Sequence, residues 1–600
     1  MQQGGFTTRP EIRGTFGAAA STHWLASQTA MGVLERGGNA FDAVVAGGFV
    51  LQVVEPHLNG PGGEVPILLH EASDDRCRVL CGQGPAPAAA TIQRLCDFGL
   101  DQMPGTGLLP ACVPGSFGAW LTLLRDYGTW PLADVLAPAL DYAARGYPLQ
   151  PQIVNAMQAV AELFERHWPS SAAIYPTRTF PQAGDLFTNP ELAATWRRLL
   201  DVAEAANGSR EVKIEAAMAA WYEGFVAEAI DRFYRSAELL DCTGQVHPGL
   251  LTGSDLAGWR PAYEDPLTFD YHGLTVAKCG PWSQGPLLLQ TLALLEGIDL
   301  ADLADPRSLH SVIEALKLAF ADREAWYGDP DHVDVPLAGL LDRGYAAERR
   351  ALIGETASMD FCPGSPGGRT PKLPRYRIAE PGNASIATLL GVGEPTTRAD
   401  GVRRGDTCHI DVVDRWGNMV AATPSGGWFQ SSPVVPGLGF SLTVRGQMFW
   451  LEEGLAASLA PKKRPRTTLT PSMALRDGKP YLAWGTPGGD QQDQWSLLLL
   501  LRHLHQGLNL QEAIDAPAFH VEHQPSSFWP REARPGVVVL EGRWPEATVA
   551  ELRRLGHQVE VGGPWSEGRL SACSQTVQGN VRTFRAAANP RGMQGYAVGR

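Results

Sequence analysis

Thr407 directly follows Asp406 in GDTCHIDVVDRWGNMVAATPSGGW, residues 405–428, at the head of an alternating stretch. A threonine hydroxyl is a weak nucleophile at neutral pH and needs a base. The residue's own α-amine, with a reference pKa of about 8, can be that base if the threonine is N-terminal. An internal threonine gains the amine only when the preceding peptide bond is cut. Its Oγ can make that cut: attack on the carbonyl of residue 406 gives an ester, which water then hydrolyses. Asp406 and Thr407 form the candidate cleavage junction, and Thr407 is the candidate nucleophile.

Two later segments offer matching chemistry. GTPGGD, residues 485–490, follows a strand-like run at 481–484. The N–H groups of Gly488 and Gly489 can approach a developing oxyanion because no Cβ obstructs them. RPRTTLTPS, residues 464–472, sets Thr467 and Thr468 beside two arginines, a combination suited to an anion or an amide. Taken singly, each feature has a plainer reading. Thr407 is a residue of high β propensity, the glycine pair a turn, and the threonine pair turn or cap residues. The ordered set carries the functional reading.

The elements that must position these residues follow from periodicity. Residues 22–36 and 40–54 read as two helices, the second capped by Asn39 and apolar nearly all round. HLNGPGGE, residues 57–64, is a glycine-rich turn leading into a strand at 65–70. Helical patterns dominate 115–230 and return at 287–297 and 309–326. Residues 361–406 are rich in proline and glycine and read as a linker. Beyond it, 408–413 and 419–423 form a hairpin around a turn with Gly417 at the position of positive φ. A second hairpin turns at Asp477-Gly478, a strand is expected at 537–541, and a helix at 510–514 has Asn509 as its cap. The C-terminal third therefore predicts antiparallel sheet with helices.

Bulk properties narrow the function. The chain has 600 residues, 44% hydrophobic and 19% charged, which predicts a folded body too large for one simple core. A net charge of −14 argues against a nucleic-acid partner. The best candidate for a membrane span, 495–504, is too short and ends in Arg502 and His503, so it reads as a buried helix. The N-terminal stretch lacks the pattern of a secretory signal, and the nine scattered cysteines contain no CxxC pair, so a cytoplasmic protein with reduced thiols is expected. Cys77 and Cys81 read as packing residues, and no metal or cofactor is expected. HExxH, Walker A and GxSxG motifs do not occur, nor does a dinucleotide GxGxxG after a strand.

The ordered blocks resemble the γ-glutamyltranspeptidase family of N-terminal nucleophile hydrolases. The likeness runs from LERGGNAFDAVVAGGFVLQVVEPHLNGPGGE through VPGSFGAW and YGTWPLADVLAPAL. It continues past Thr407 to KRPRTTLTPS, GTPGGD and GLNLQEAIDAPAFH. The resemblance implies an α+β fold, a four-layer αββα sandwich built from a large portion, 1–406, and a small catalytic portion, 407–600. It implies self-cleavage before Thr407 and acyl transfer through a threonyl ester. Ser425 falls at a second hydroxyl that supports the nucleophile, and Gly488 and Gly489 at the oxyanion-hole glycines. Thr467 and Thr468 match a serine pair that holds the substrate carboxylate, and Gln447 matches a glutamine of an NNQMDDF-like segment. The implied partners are a small-molecule amide, an acyl acceptor (water, amino acid or peptide), the two fragments for each other, and a possible higher homo-oligomer.

Departures fall on the glutamyl reader. RGQMFW puts Phe449 and Trp450 where the family has aspartates, the second of which pairs with the glutamate ammonium. APAAATI puts Ile92 where the family has a carboxylate-binding arginine, with Arg94 two residues on, and Gly427 replaces an asparagine. Losing both charge partners costs several kcal/mol of glutamyl recognition unless another group substitutes. A shifted, more apolar acyl specificity around Trp450 is therefore expected. A γ-glutamyl amide stays open if Arg94, Arg445 or Arg466 reaches the carboxylate. Two rivals stay open as well: an uncut binding protein of the same fold, and a serine hydrolase using Ser283 or Ser566.

Overall fold

A computed structural model of the chain describes residues 6–379 and 407–600. The helices begin where local chemistry favours them. Asn39 accepts hydrogen bonds from the amides of Phe41 and Asp42, and the Asp42 carboxylate accepts one from the Asn39 amide, so Ala40–Val54 starts on a reciprocal cap. Every residue of that helix is buried, matching its apolar circumference. Asn509 and Glu512 build the same cap for Leu510–Asp515. Trp24–Glu35 is capped less commonly, by His23, whose Nδ1 accepts from the Leu25 amide.

Among the described residues two antiparallel seven-stranded sheets form the centre. One runs in the order Ile12–Gly14, Val581–Ala588, Ser571–Gln578, Lys479–Gly485, Ser472–Arg476, Leu274–Lys278, Leu267–Tyr271. The other runs Tyr596–Gly599, Ala18–Ser21, Ile410–Val413, Met419–Ala422, Val65–Glu71, Arg76–Gly82, Ala262–Glu264. Strands from before and after Thr407 pair side by side within both sheets, so the two portions share both sheets.

Three buried clusters define four layers. Small residues fill the space between the sheets: Ala18, Ala20, Val413 and Ala421 from one, Ala277, Ala483, Cys573 and Ala586 from the other. Outside the second sheet, Ala40–Val54, Ser116–Tyr127 and their neighbours cover Ala19, Ile67, Ile410 and Val412. Outside the first, Pro286–Leu295, Pro306–Trp326 and Gln492–His505 cover Val276, Ala474, Leu482 and Trp484. The result is an αββα sandwich, with each sheet apolar on both faces because both are covered. Among the described residues no helix is long and apolar enough to cross a membrane.

The hairpin after Thr407 sets the site. Ile410–Val413 pairs with Met419–Ala422, Ile410 opposite Ala422, around Gly417 at φ 99°. Strand alternation sends Ile410 and Val412 to the helices, and His409, Asp411 and Val413 toward the other sheet. Thr407 shares the parity of the latter set. Two expectations need adjustment. Of the linker, residues 361–379 carry a short turn at Pro366–Gly368 and a two-residue strand, Arg377–Ile378, paired with Glu532–Ala533. The rest, including Asp406, lies outside the described residues. The strand expected at 537–541 is Val537–Leu540, which joins neither large sheet. It pairs with Phe519–Val521 and Gln558–Val561 in a separate three-stranded sheet.

Candidate active site

Thr407 is fully buried, and its Oγ1 lies 3.2 Å from Ser425 Oγ. The backbone brings them together: Thr407 and Ser425 form an antiparallel bridge at the open end of the hairpin. On its other side Ser425 pairs with Glu64, the two amides each donating to the other's carbonyl at 2.9 and 3.0 Å. The glycines of HLNGPGGE permit this approach. A Cβ on Gly63 would stand 2.0 Å from the Ser425 carbonyl oxygen.

Arg445 connects the hydroxyls to a charge. Its Nε donates to Glu64 Oε1 at 2.6 Å, its Nη2 to Ser425 Oγ at 2.8 Å, and its Nη1 reaches Thr468 Oγ1 at 3.5 Å. Arg445 and Glu64 are both buried, so their attraction is little screened by solvent. A continuous line of contacts thus joins Thr407, Ser425, Arg445 and Thr468. Glu64 was read in the sequence only as the end of a glycine-rich turn; its signal was a carboxylate next to a loop built for close approach.

The glycine loop 485–489 runs beside the same strand. A Cβ on Gly485 would meet the His409 ring at 2.3 Å, and His409 is two residues from Thr407. Gly488 has φ 128° and Gly489 φ 53°, conformations that free the loop amides from strand geometry. Gln284 ties the loop to the threonine pair: its amide donates to the Thr467 carbonyl at 2.9 Å and its Nε2 to the Gly489 carbonyl at 3.2 Å. Sequence reasoning passed over Gln284, which carries no chemistry-bearing spacing.

His409 forms a buried polar pair behind the hydroxyls. Its Nδ1 meets Thr423 Oγ1 and its Nε2 meets Asp411 Oδ1, both at 2.9 Å. Ser571 donates to the other Asp411 oxygen at 3.0 Å, and burial pushes the Asp411 carboxyl up.

The remaining candidates spread out. Gln447 accepts the Trp529 amide at 3.2 Å and donates to the Val444 carbonyl at 3.3 Å, bracing the 524–531 loop over the site. Gly427, at φ 69°, packs against the Ser441 carbonyl and Gly60, and borders a small cleft with Asn59, Tyr147 and Asn189. Trp450 is buried with Arg531 stacked on its ring, 3.4 Å from the centroid. Arg94 is exposed on the short helix Ile92–Asp97. Ile92 and Phe449 meet in one apolar cluster with Leu95, Leu451 and Leu459. Ser283 and Ser566 hydrogen-bond to the carbonyls of Gly280 and Gly563, and no histidine contacts either hydroxyl among the described residues. Cys77 and Cys81 pack between the sheets.

One set of possible metal ligands gathers among the described residues, His310, Glu314 and His557, within 4.8 Å of one another. Glu314 is paired with Lys317 at 2.7 Å, and His310 Nδ1 meets His557 Nε2 at 2.8 Å, while His557 Nδ1 has no hydrogen-bond partner among the described residues.

Comparison with known proteins agrees with this architecture. Residues 26–599 match the gamma-glutamyltranspeptidase family. The chain is 31% identical over 598 residues to the glutathione hydrolase-like YwrD proenzyme of Bacillus subtilis (strain 168), covering 98% of this chain and 99% of that protein. It is 31% identical over 599 residues to the oxamate amidohydrolase proenzyme of Klebsiella pneumoniae, covering 98% of each. Among solved structures, LmbA2991HD superposes with a TM-score of 0.92 at 55% identity, covering 99% of this chain and 100% of that one. The cephalosporin acylase of Bacillus halodurans superposes with a TM-score of 0.81 at 27% identity, covering 100% and 98%. The shared length, the layer order and the named hydrolases lead to one conclusion: this chain is a member of the gamma-glutamyltranspeptidase family.

Proposed function

We propose that the chain is a self-processing amidohydrolase and acyltransferase in which Thr407 is the nucleophile. The observation that carries this reading is the line from Thr407 through Ser425 and Arg445 to Thr468. Attack of Thr407 Oγ1 on the carbonyl of residue 406 moves the acyl group from nitrogen to oxygen, and hydrolysis of that ester by water gives portions 1–406 and 407–600, which stay paired through the shared sheets. The freed α-amine then takes the Thr407 hydroxyl proton as a substrate carbonyl is attacked. Ser425, held by Arg445, orients that hydroxyl. Amides of the Gly488-Gly489 loop receive the developing oxyanion. Collapse expels the amine, which takes the proton back from the ammonium, and leaves a threonyl ester. Water, an amino acid or a peptide completes the cycle.

A small-molecule amide with a non-glutamyl acyl group is the reading the changed positions favour. The positions that carry charge in the family hold Ile92 and Phe449 packed in one apolar cluster. The amidohydrolase relative named for oxamate and the structural neighbour named for cephalosporin both point away from a strict glutamyl reader. A γ-glutamyl amide is the second reading, favoured by the relative named glutathione hydrolase-like. The test is hydrolysis of acyl anilides by wild type and Thr407→Ala. Turnover that vanishes in the variant upholds the proposal; activity retained by Thr407→Ala refutes it.

A further inference from the structure

The small cleft bordered by Gly427 belongs neither to the catalytic line nor to the threonine pair. Both halves of the chain build it: Gln52, Asn59 and Tyr147 precede Thr407, and Gly427 and Ser441 follow it. Its free interior is about 20 Å³, room for water and little more. Stacked rings hold its walls apart. Tyr175, in the lining, lies 4.4 Å from Phe429 and 5.8 Å from Phe187 between ring centroids, and Phe440 lies 5.2 Å from Trp221. The cleft is not sealed, since Pro56 and Phe187 in its lining are only half-buried.

Four lining side chains are buried with polar atoms to spare. Asn59 is fully buried, and neither its Oδ1 nor its Nδ2 has a hydrogen-bond partner among the described residues. The Tyr147 hydroxyl, Ser441 Oγ and Gln52 Oε1 lack one as well, in residues 2% exposed or less. Burial pushes the Tyr147 hydroxyl up, so it stays protonated and can donate as well as accept. Unpaired buried polar atoms are costly, and a polar space of this size with several such atoms suits an ordered water.

Location gives that water a use. Thr407 is fully buried, yet the proposed function needs water there twice, to hydrolyse the ester of self-cleavage and the ester formed with substrate. The segment that lines the cleft also touches the neighbours of Thr407. Asn59 bridges Gly426, next to Ser425, and Glu55 accepts from Cys408 Sγ at 3.0 Å, next to Thr407 itself. At Gly60 and Gly427 the partition is bare backbone: a Cβ on Gly60 would stand 2.9 Å from the Gly427 carbonyl oxygen.

Resting on the function proposed above, we infer that this cleft is a water site that feeds ester hydrolysis at Thr407. In each hydrolysis the water oxygen bonds to the ester carbonyl carbon and the bond from that carbon to Oγ1 breaks. The α-amine takes a proton from the water and passes it to Oγ1 as the acid leaves. An amino acid or peptide acceptor is too large for the cleft and meets the ester from the substrate side.

The test follows the acyl-enzyme by mass in single-turnover quenched flow. It uses mature, cleaved protein and the acyl p-nitroanilide that wild type turns over fastest. Asn59→Leu removes both polar atoms at nearly constant size. Tyr147→Phe removes one hydroxyl and serves if the leucine variant does not fold. Deacylation is expected to slow at least tenfold in Asn59→Leu and at least threefold in Tyr147→Phe. Acylation, read as p-nitroaniline release, is expected to change less than twofold in both. A high-resolution crystal structure of the wild type is expected to show ordered water on Asn59 and Tyr147. Equal slowing of both steps makes the cleft structural and overturns the inference. Unchanged deacylation or a dry cleft overturns it too, and the proposed function stands in all three cases. Failure to cleave at Thr407, read separately by mass, overturns the function itself and the inference with it.

Discussion

Thr407 Oγ1 and Ser425 Oγ lie 3.2 Å apart, and Arg445 Nη2 donates to that same Ser425 oxygen at 2.8 Å. The neighbour of the proposed nucleophile is therefore held by a buried cation that is itself fixed by Glu64 at 2.6 Å. Arg445 occupies one acceptor lone pair of the Ser425 hydroxyl, and the Ser425–Thr407 contact is a hydroxyl pair in which either oxygen can donate.

This relationship sets the first prediction. Ser425→Ala removes the hydroxyl and strands an Arg445 donor, so kcat should fall about 10- to 100-fold through misorientation of Thr407. Arg445→Gln should fall at least as far and slow chain cleavage as well. Steady-state kinetics and the rate of fragment formation in both variants check this. Wild-type kcat in Ser425→Ala would show that the contact is incidental.

The glycine loop gives the second. Gly488 sits at φ 128°, and a Cβ there would stand 2.3 Å from the Trp495 ring. Gly488→Ala must shift the loop proposed to offer its amides to the oxyanion, which should cost about 100-fold or more in kcat. The local strain should cost about 1–3 kcal/mol of stability. Kinetics beside denaturant unfolding separate the two effects.

The third concerns pH. Burial pushes His23 down from 6.5 to about 3, while its Nδ1 caps Trp24–Glu35 by accepting from Leu25. The unfolded chain binds this proton from pH 6.5 downward and the folded chain does not. Stability is therefore intact above pH 6.5 and falls on acidification, by about 2 kcal/mol from this residue at pH 5. His523, pushed down to about 4, and His557, to about 3, act in the same direction. Asp493, raised to about 6 by burial, acts in the opposite one. His23→Asn keeps a capping acceptor without a titrating proton. Unfolding midpoints at pH 7 and pH 5 should differ less in this variant than in wild type.

Local chemistry was legible in the sequence, and long-range pairing was not. Asn39 and Asn509 announced their helices because a cap and an apolar period lie within a few residues of each other. The hairpin at Ile410–Val413 and Met419–Ala422 was legible through alternation and Gly417. The sharing of both sheets was invisible, since Ala18–Ser21 pairs with residues some 390 and 580 positions away without any local mark. For the same reason Glu64 and Arg531 emerged only in three dimensions. Glu64 reaches Arg445 across 381 positions, and Arg531 reaches the Phe449 carbonyl across 82.

The most direct measurement is the intact mass of freshly purified protein beside Thr407→Ala. Shared by residue count, 64.6 kDa divides into pieces of about 44 and about 21 kDa for 406 and 194 of the 600 residues. The expected result is two such pieces in wild type, the smaller beginning Thr-Cys-His-Ile, and one uncut chain in the variant. A wild-type chain that stays whole on incubation, or a variant that is cut at the same bond, would contradict the assignment of Thr407 as a concealed N-terminal nucleophile.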